Sequence, residues 1–248
     1  MIINEYLLNP SNYVYPFEIK EKEKERVIIT YKLDEKGEQL RQCHKAILSE
    51  LEKLPSSEYS YAYKKGYCTK DALIPHMNSS FFIKLDIKSF FESITKDKFF
   101  SIIEELNIIF DKEKLESCFY EGHVSLGYVT SPKISDLYLY QFDIMMEKYI
   151  QLNKGLHYSR YSDDILISSE SSDYGSLHTF LSYIKKSFKL FDLEINEKKL
   201  REFDINKDTA VSFLGLNLVK KDEKYYISIN KKFILKTFNS QKNLKTVV

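Results

Sequence analysis

Residues 156–168 read Leu156-His157-Tyr158-Ser159-Arg160-Tyr161-Ser162-Asp163-Asp164-Ile165-Leu166-Ile167-Ser168. The adjacent carboxylates of Asp163 and Asp164 lie between two runs rich in Tyr, Ile and Leu, which predicts a strand, a tight turn and a second strand with the acids at the tip. Two like charges side by side repel each other unless a cation neutralises them, and carboxylate oxygens suit Mg²⁺. A polar hairpin tip without a ligand has the same pattern, so the tetrapeptide Tyr161-Ser162-Asp163-Asp164 alone is compatible with both interpretations.

A further acid, Asp86, lies near the end of the apolar run Phe81–Ile87, which is typical of a strand. A strand-end acid that faces solvent is the alternative to a ligand here. Asp163 follows Asp86 by 77 residues, and the three carboxylates together favour a metal site assembled on neighbouring strands. Two Mg²⁺ ions about 3.5–4 Å apart can serve an in-line phosphoryl transfer.

The composition is that of a globular protein with a sizeable core: 248 residues, 43% hydrophobic and 29% charged. No apolar stretch has transmembrane length and Met1–Glu5 lacks a signal-peptide pattern, so a cytoplasmic protein without a membrane partner is expected. Three cysteines without metal-ligand spacing favour buried free thiols in a reducing compartment; they are Cys43, Cys68 and Cys118. The net charge is +1, but 12 Lys and Arg stand against 6 Asp and Glu from Asn196 to Val248, which suits either phosphate contacts or a solvated surface.

Hydrophobic periodicity predicts the main elements. Helices are expected over 38–54, 98–109, 130–150 and 176–190, and strands over 26–31, 81–87, 156–161, 164–168 and 224–229. Residues 211–216 are expected to form a strand or a tight hairpin. Thr130-Ser131-Pro132 predicts a helix start with a hydroxyl cap and an early proline. From residue 81 the order is β-α-α-β-β-α-β, with 211–216 as its last strand. This order is compatible with a ferredoxin-like sheet in an α+β fold.

Five segments resemble motifs A to E of prokaryotic reverse transcriptases, in that family's order. They are Leu85-Asp86-Ile87-Lys88-Ser89-Phe90-Phe91-Glu92-Ser93-Ile94, Gly127-Tyr128-Val129-Thr130-Ser131-Pro132-Lys133-Ile134-Ser135-Asp136-Leu137, Tyr161-Ser162-Asp163-Asp164, Asn196-Glu197-Lys198-Lys199 and Phe213-Leu214-Gly215. The resemblance covers roughly Arg26 to Leu216 and is closest to group II intron, retron and stand-alone phage-defence enzymes. It implies the fingers and palm of a right-hand polymerase. The palm would be a ferredoxin-like or RRM-like antiparallel sheet with helices on one face, and the thumb would be minimal or absent. Residues 1–78 are then expected to form a fingers-like region, 79–216 the palm, and 217–248 a short basic segment in place of a full thumb.

The resemblance implies catalytic roles for the matching polar residues. Asp86, Asp163 and Asp164, helped by the Ile87 carbonyl, would hold two Mg²⁺ ions, with Mn²⁺ as the alternative. Lys199 (or Lys198) would lie near the pyrophosphate as a proton donor. Both lysines also fit an ordinary solvated surface.

The resemblance further implies contacts to the nucleotide and the primer. Phe91 would be a steric gate favouring dNTP over rNTP, although a core position is the commonest place for a phenylalanine. Arg26 would clamp the triphosphate, or would simply pair with Glu23 or Glu25. The other implied nucleotide-binding residues are Ile87, Gly127, Thr130 and Ser131; those of the primer grip are Phe213, Leu214 and Gly215.

The motifs depart from the family at several positions. Leu126 replaces a polar residue that normally touches the incoming nucleotide, Asp136 stands where Asn is common, and Ser162 where Ala is more frequent. A Val-Thr-Gly tripeptide near motif E, usual in retron enzymes, is missing, which weakens a retron assignment. His76 is a candidate for lining the nucleic-acid path.

The expected function is therefore an RNA-directed DNA polymerase (reverse transcriptase) in bacterial anti-phage defence. It would add dNTPs to a primer hydroxyl on an RNA template or a dedicated non-coding RNA, with DNA as product. The alternatives are template-independent or protein-primed DNA synthesis in an abortive-infection system, and a non-catalytic RNA-binding module. A homo-oligomer or an accessory protein would complete the thumb. Template, primer, oligomeric state and completeness of the C-terminus stay open.

Overall fold

A computed structural model describes residues 5–21, 24–171, 174–231 and 234 of the protein, and their side chains except those of 20, 21 and 24–26. The chain forms two compact units, each assembled from three separate stretches. They are Met1–Ser57, Lys88–Phe142 and Lys189–Leu193 for the first unit, and Glu58–Ile87, Asp143–Phe188 and Glu194–Val248 for the second. The assignment of fingers, palm and reduced thumb to 1–78, 79–216 and 217–248 stays a prediction.

The first unit combines a two-stranded hairpin with six helices. Its elements are α1 (Glu5–Leu8), β1 (Val14–Glu21), β2 (Lys24–Tyr31), α2 (Glu35–Leu51), α3 (Phe90–Ser93), α4 (Lys96–Glu105), α5 (Lys112–Glu116) and α6 (Ser131–Tyr138). Helices α2 and α4 begin two or three residues before their predicted starts, because Asp34 and Thr95 cap them by accepting hydrogen bonds from the backbone N–H of Gly37 and Lys98. Strand β1, which the sequence did not predict, is held by antiparallel pairing with β2.

The helix predicted over 130–150 is interrupted. It consists of α6 and α7 (Tyr140–Leu152), with a break at Leu139. Pro132 lies in the first turn of α6 as expected, but the predicted hydroxyl cap is wrong: the Thr130 side chain makes no capping hydrogen bond. The neighbouring Ser131 hydroxyl instead donates to the Ser125 carbonyl at 2.6 Å, which ties the start of α6 to the loop before it.

The second unit is built on a four-stranded antiparallel sheet. Its strands are β3 (Phe81–Asp86), β4 (Leu156–Tyr161), β5 (Asp164–Ser169) and β6 (Arg201–Asp204), in the order β4-β5-β3-β6, and α8 (Gly175–Phe188) precedes β6. This is the strand order of a ferredoxin-like sheet, as expected. The expectation that residues 211–216 form the last strand of this sheet is wrong, whereas the alternative of a tight hairpin is confirmed, since Phe213 pairs with Leu216. Arg201–Asp204 pairs with β3, whereas residues 211–216 belong to another sheet.

The two faces of this sheet have different coverings. On one face Tyr158 and Arg160 of β4 bind Asp143 of α7, and α7 in turn stacks on α8 through Tyr149 and Phe180. On the other face Phe82 and Leu166 pack against a three-stranded antiparallel sheet. That sheet consists of β7 (Val211–Phe213), β8 (Leu216–Lys221) and β9 (Lys224–Ile229). The helices therefore lie on one face of the palm-like sheet, as predicted.

Three further expectations concern the chain as a whole. Of the cysteines, Cys118 is buried as expected, while Cys43 is half-buried and Cys68 is exposed. None of the helices in the described ranges combines the length and apolar composition needed to cross a bilayer. The expectation of a minimal or absent thumb falls largely on residues 232, 233 and 235–248, which lie outside the described part of the chain.

Candidate active site

Two of the predicted acids face each other across neighbouring strands. In the antiparallel pairing of β3 with β5, Asp86 is directly opposite Asp164. Directly opposed residues have Cβ atoms about 4.5–5.5 Å apart, a position where like charges destabilise a sheet. Asp86 is 4% exposed, so water screens its charge poorly. This register concentrates negative charge at one end of the sheet, on the face opposite α7 and α8.

The third acid, Asp163, lies in the two-residue turn that joins β4 to β5. Tyr161 pairs with Asp164, which leaves Ser162 and Asp163 as the turn, and Ser162 has a φ of 60°. A positive φ at the first turn residue is what a tight hairpin with the natural strand twist requires. The Asp163 carbonyl accepts a hydrogen bond from the Ile87 N–H at 2.9 Å. The backbone thus ties the acidic turn to the end of β3, directly after Asp86.

Lysines accompany both facing acids. Lys199 Nζ contacts the Asp86 carboxylate, which also accepts a 3.2 Å hydrogen bond from the Asn196 amide. Lys84 Nζ lies 3.1 Å from the Asp164 carboxylate. Of the two candidate lysines in the fourth motif, Lys199 therefore reaches the acids, whereas Lys198 is exposed.

The surroundings of Asp163 change the pKa of its carboxyl group. Burial raises its pKa above the ordinary value, and the negative charges of Asp164 and Asp86 raise it further. A group in this position favours either a proton or a cation beside it. No three His, Cys, Asp or Glu side chains within the described ranges already stand in metal-cluster geometry. The donor types nevertheless suit a divalent cation, since three carboxylates belong to one end of the sheet and the charges of Asp86 and Asp164 act on Asp163.

The predicted primer grip is a tight hairpin beside this site. Leu214 and Gly215 join β7 to β8, with positive φ values of 50° and 82°. Phe213 is fully buried, and Lys84 Nζ lies 5.5 Å from the centre of its ring. The hairpin tip is therefore connected to the acids through Lys84, which contacts both Phe213 and Asp164.

The first unit contains two other predicted residues, Arg26 on β2 and Gly127 in a loop that packs against β2. Arg26 lies on β2, where its backbone pairs with Ile19; its side chain is outside the described part. Three residues further along β2, the Ile29 N–H donates to the Leu126 carbonyl at 2.7 Å. Gly127 has a φ of 108°, and a Cβ there would lie 2.3 Å from the Ile29 carbonyl oxygen. Gly127 thus permits close packing of its loop on β2.

Phe91, Thr130 and Ser131 also belong to the first unit. Phe91 is half-buried, and it is its neighbour Phe90 that occupies the core. Thr130 and Ser131 are almost fully buried, and the Ser131 hydroxyl donates to the Ser125 carbonyl in the loop before Gly127. Contacts of these residues with a nucleotide stay predictions.

Several residues at the site were not expected from the sequence. Lys84 lies two residues before Asp86 in the same strand, so strand alternation could have placed its side chain on the same face. Asn196 begins the fourth motif, three residues before Lys199. Tyr63 donates to or accepts from the Ser162 hydroxyl at 2.9 Å, and it is 99 residues away in the chain, without any local signal. His76 is fully buried between Ser159 and Ser168, so its expected place on a nucleic-acid path is wrong.

Comparison with known proteins identifies this arrangement of an antiparallel sheet with a carboxylate-bearing hairpin. The fold is that of the fingers and palm of reverse transcriptases. Residues 20–218 match the family model described as "Reverse transcriptase (RNA-dependent DNA polymerase)". The chain belongs to this family.

The curated relatives include retron enzymes of Escherichia coli. Retron Ec86 reverse transcriptase is 30% identical over 123 residues, which cover 49% of this chain and 38% of the relative. Retron Ec48 reverse transcriptase is 31% identical over 136 residues, or 54% of this chain and 33% of the relative. The matches span well under two thirds of each relative, so they establish similarity to part of each relative only.

Solved structures agree on the fold. Telomerase from Candida albicans, in complex with a TWJ fragment of telomeric RNA, superposes with a TM-score of 0.64 at 15% identity, over 88% of this chain and 46% of that chain. Apo telomerase from Candida tropicalis, truncated from its C-terminal domain, gives a TM-score of 0.60 at 14% identity, over 88% of this chain and 55% of that chain. At such low identity the likeness concerns the fold alone.

Proposed function

We propose that this chain is the catalytic core of an RNA-directed DNA polymerase that extends a primer hydroxyl with dNTPs. The observation that carries the proposal is the register that sets Asp86 opposite Asp164, next to the Asp163 turn. Lys199 and Lys84 accompany two of these acids, and three carboxylates gathered at one end of a sheet suit a site that binds cations. Membership of the reverse transcriptase family supplies the reaction class.

In this proposal the acids bind the metal ions and Lys199 acts as a proton donor. Asp86, Asp163, Asp164 and the Ile87 carbonyl would hold two Mg²⁺ ions, or Mn²⁺ in their place. The metal would lower the pKa of the primer hydroxyl and stabilise the charge on the transferred phosphate. Lys199 would donate a proton near the leaving pyrophosphate, and the Phe213-Leu214-Gly215 hairpin would support the primer.

The nucleotide contacts of the proposal come from the first unit. Phe91 would exclude a 2′-hydroxyl and so favour dNTP over rNTP, and Arg26 would bind the triphosphate through its guanidinium fork. Gly127, Thr130 and Ser131 would shape the loop beneath the nucleotide. The test is to compare dNTP with rNTP incorporation in Phe91→Val, where a smaller side chain should reduce the discrimination.

A primer-extension assay tests the function. Wild-type protein should incorporate dNTPs on an RNA template with a DNA primer in the presence of Mg²⁺. The rate of dNTP incorporation by Asp163→Asn should be at least about a hundredfold lower than that of wild type, because the substitution removes one metal-binding charge. Asp222→Asn, an exposed aspartate in the β8–β9 turn, is the matched control and should retain activity. Equal activity of Asp163→Asn and wild type would contradict the assignment.

A second candidate keeps the chemistry and changes the template. Leu126, where the family usually has a polar residue, motivates synthesis on a dedicated non-coding RNA or without a template, in anti-phage defence. Sequencing of nucleic acid that copurifies with the protein distinguishes these possibilities. One enriched RNA species would support a dedicated template, whereas random cellular RNA would contradict it.

A further inference from the structure

The turn that carries Asp163 has a backbone conformation that needs external support. Ser162 has a φ of 60°, in the left-handed region that non-glycine residues rarely adopt. Such a conformation persists where the surrounding structure determines it. The orientation of the Asp163 carboxylate therefore depends on what holds Ser162, which is itself only 7% exposed.

Arg160 supports the turn from the helix-covered side of the sheet. Its guanidinium is 1% exposed and binds the fully buried Asp143 carboxylate through Nε at 2.9 Å and Nη2 at 2.6 Å. Tyr158 donates to the same carboxylate at 2.6 Å. The remaining guanidinium nitrogen, Nη1, lies 3.4 Å from the Ser162 carbonyl oxygen. A buried ion pair, anchored on α7, thus reaches the backbone of the turn.

Tyr63 supports the same residue through its side chain. Its hydroxyl lies 2.9 Å from the Ser162 hydroxyl. The segment that carries Tyr63 is fixed alongside β4, since the Arg160 N–H donates to the Tyr59 carbonyl at 2.8 Å and the Tyr61 N–H donates to the Arg160 carbonyl at 2.9 Å. The Tyr63 ring itself is 54% exposed, so its contact with Ser162 is a hydrogen bond with little burial of apolar surface.

We propose that Tyr63 and Arg160 are positioning residues of the metal site, which act through Ser162 to hold the Asp163 carboxylate beside Asp86 and Asp164. The inference rests on the proposed function and adds two residues to it that no sequence motif marks. Ser162 is the point where both supports meet: Arg160 reaches its carbonyl and Tyr63 its hydroxyl. The bond from the Ile87 N–H to the Asp163 carbonyl adds a third contact to this two-residue turn.

If the Tyr63–Ser162 bond only stabilised the fold, its loss would lower the melting temperature and leave metal affinity unchanged. The proposed positioning role predicts the opposite. Removal of the Tyr63 hydroxyl should change the stability of the whole fold only slightly, because a neutral hydrogen bond contributes little net free energy. It should, however, allow the turn to sample other conformations, in which the Asp163 carboxylate is misdirected. Metal affinity is therefore the sensitive quantity and the melting temperature the insensitive one.

The experiment uses the full chain and Mn²⁺ as the probe. Free Mn²⁺ is measured by electron paramagnetic resonance for wild type, Tyr63→Phe, Ser162→Ala and the double variant. We expect each single variant to raise the dissociation constant of Mn²⁺ about threefold to tenfold, with the double variant no weaker than the weaker single one, because both lose the same bond. The melting temperature should fall by no more than about 2–4 °C. In primer extension, the Mn²⁺ concentration for half-maximal rate should rise in parallel.

Tyr67→Phe is the matched control, because Tyr67 is a similarly exposed tyrosine of the same segment, with no hydroxyl hydrogen bond among the described residues. It should bind Mn²⁺ like wild type. Arg160→Lys tests the second support and should weaken Mn²⁺ binding as well; if it fails to fold, the hydroxyl variants still decide. Wild-type affinity in both Tyr63→Phe and Ser162→Ala, or strictly additive effects in the double variant, would overturn the proposal. A wild-type protein that binds no Mn²⁺ would overturn the proposed function itself, and this role with it.

Discussion

At the scale of single residues, Asp163 illustrates a conflict between stability and the proposed chemistry. Its pKa is raised by burial and by the charges of Asp164 and Asp86. Between the ordinary and the raised pKa the folded state binds more protons than the unfolded state, so stability falls as pH rises through this window and stays lower at neutral pH. The ionised carboxylate therefore destabilises the fold that carries it.

The first prediction follows for Asp163→Asn. In EDTA at pH 7 we expect the free energy of unfolding to rise by about 0.5–2 kcal/mol, the size common for relief of functional strain, while primer extension is lost. Urea unfolding followed by circular dichroism measures the change. Mg²⁺ should then stabilise the wild type and leave the variant unchanged. A variant less stable than wild type in EDTA would contradict the electrostatic explanation.

Gly127 gives a second prediction at this scale. A Cβ at Gly127 would lie 2.3 Å from a backbone oxygen of β2, in addition to the strain of a φ of 108°. Gly66 has a similar φ of 88°, with nothing within 4 Å of its virtual Cβ. Gly66→Ala should thus cost about 1 kcal/mol for the backbone alone, and Gly127→Ala about 2 kcal/mol more. Urea unfolding of the pair measures the difference, and equal effects would show that the β2 contact is unimportant.

At the scale of elements, local pattern and tertiary context contribute differently. Helices α2, α4 and α8 and the acidic hairpin are predictable because their apolar periodicity and caps are local. Strand β6 is not, because Arg201-Glu202-Phe203-Asp204 has three charges in four residues and no alternation. It becomes a strand since its backbone completes the exposed edge of β3. Val211–Phe213 has a more strand-like sequence than Arg201–Asp204, but it belongs to the three-stranded sheet of β7, β8 and β9.

A buried histidine between two strands makes the stability of the sheet depend on pH. His76 contacts the hydroxyls of Ser168 at 2.7 Å and Ser159 at 2.8 Å, one on β5 and one on β4. Burial, with a smaller effect of nearby His157, lowers its pKa to about 3. The unfolded chain takes up the proton at about pH 6.5, so the contribution of neutral His76 is complete above that pH and is lost as pH falls towards 3.

The third prediction is the size of this loss. Between pH 6.5 and 4.5 we expect His76 to account for about 2–3 kcal/mol of lost stability. His76→Gln should be less stable at pH 7.5 and show a shallower decline with acid. His178→Gln, which removes an exposed histidine, should decline like wild type. Urea midpoints at several pH values provide the comparison, and parallel curves for His76→Gln and wild type would refute the assignment.

At the scale of the whole molecule, the sequence predicts the candidate metal-binding acids better than the buried contacts around them. Asp86, Asp163 and Asp164 are recognisable because an adjacent pair of acids between two β-prone runs and a third acid at a strand end are local patterns. The Arg160–Asp143 pair and the Tyr63–Ser162 bond join segments 17 and 99 residues apart, and no periodicity announces them. The proposed metal-binding acids are thus easier to predict than the residues that we propose to orient them.

The uneven charge of the chain gives the last prediction. The net charge is only +1, yet the stretch from Asn196 to Val248 has six more Lys and Arg than Asp and Glu. Lys221 and Lys224 are exposed members of it, on β8 and β9.

If they contact phosphates, Lys221→Gln/Lys224→Gln should reduce the slope of log affinity against log salt by about 2 for an RNA–DNA hybrid. Lys36→Gln/Lys45→Gln removes the same charge from the exposed face of α2 and should leave the slope nearly unchanged. Fluorescence anisotropy from about 50 to 200 mM salt measures both slopes. Equal slopes for both pairs would mean that net charge, rather than this basic surface, governs binding.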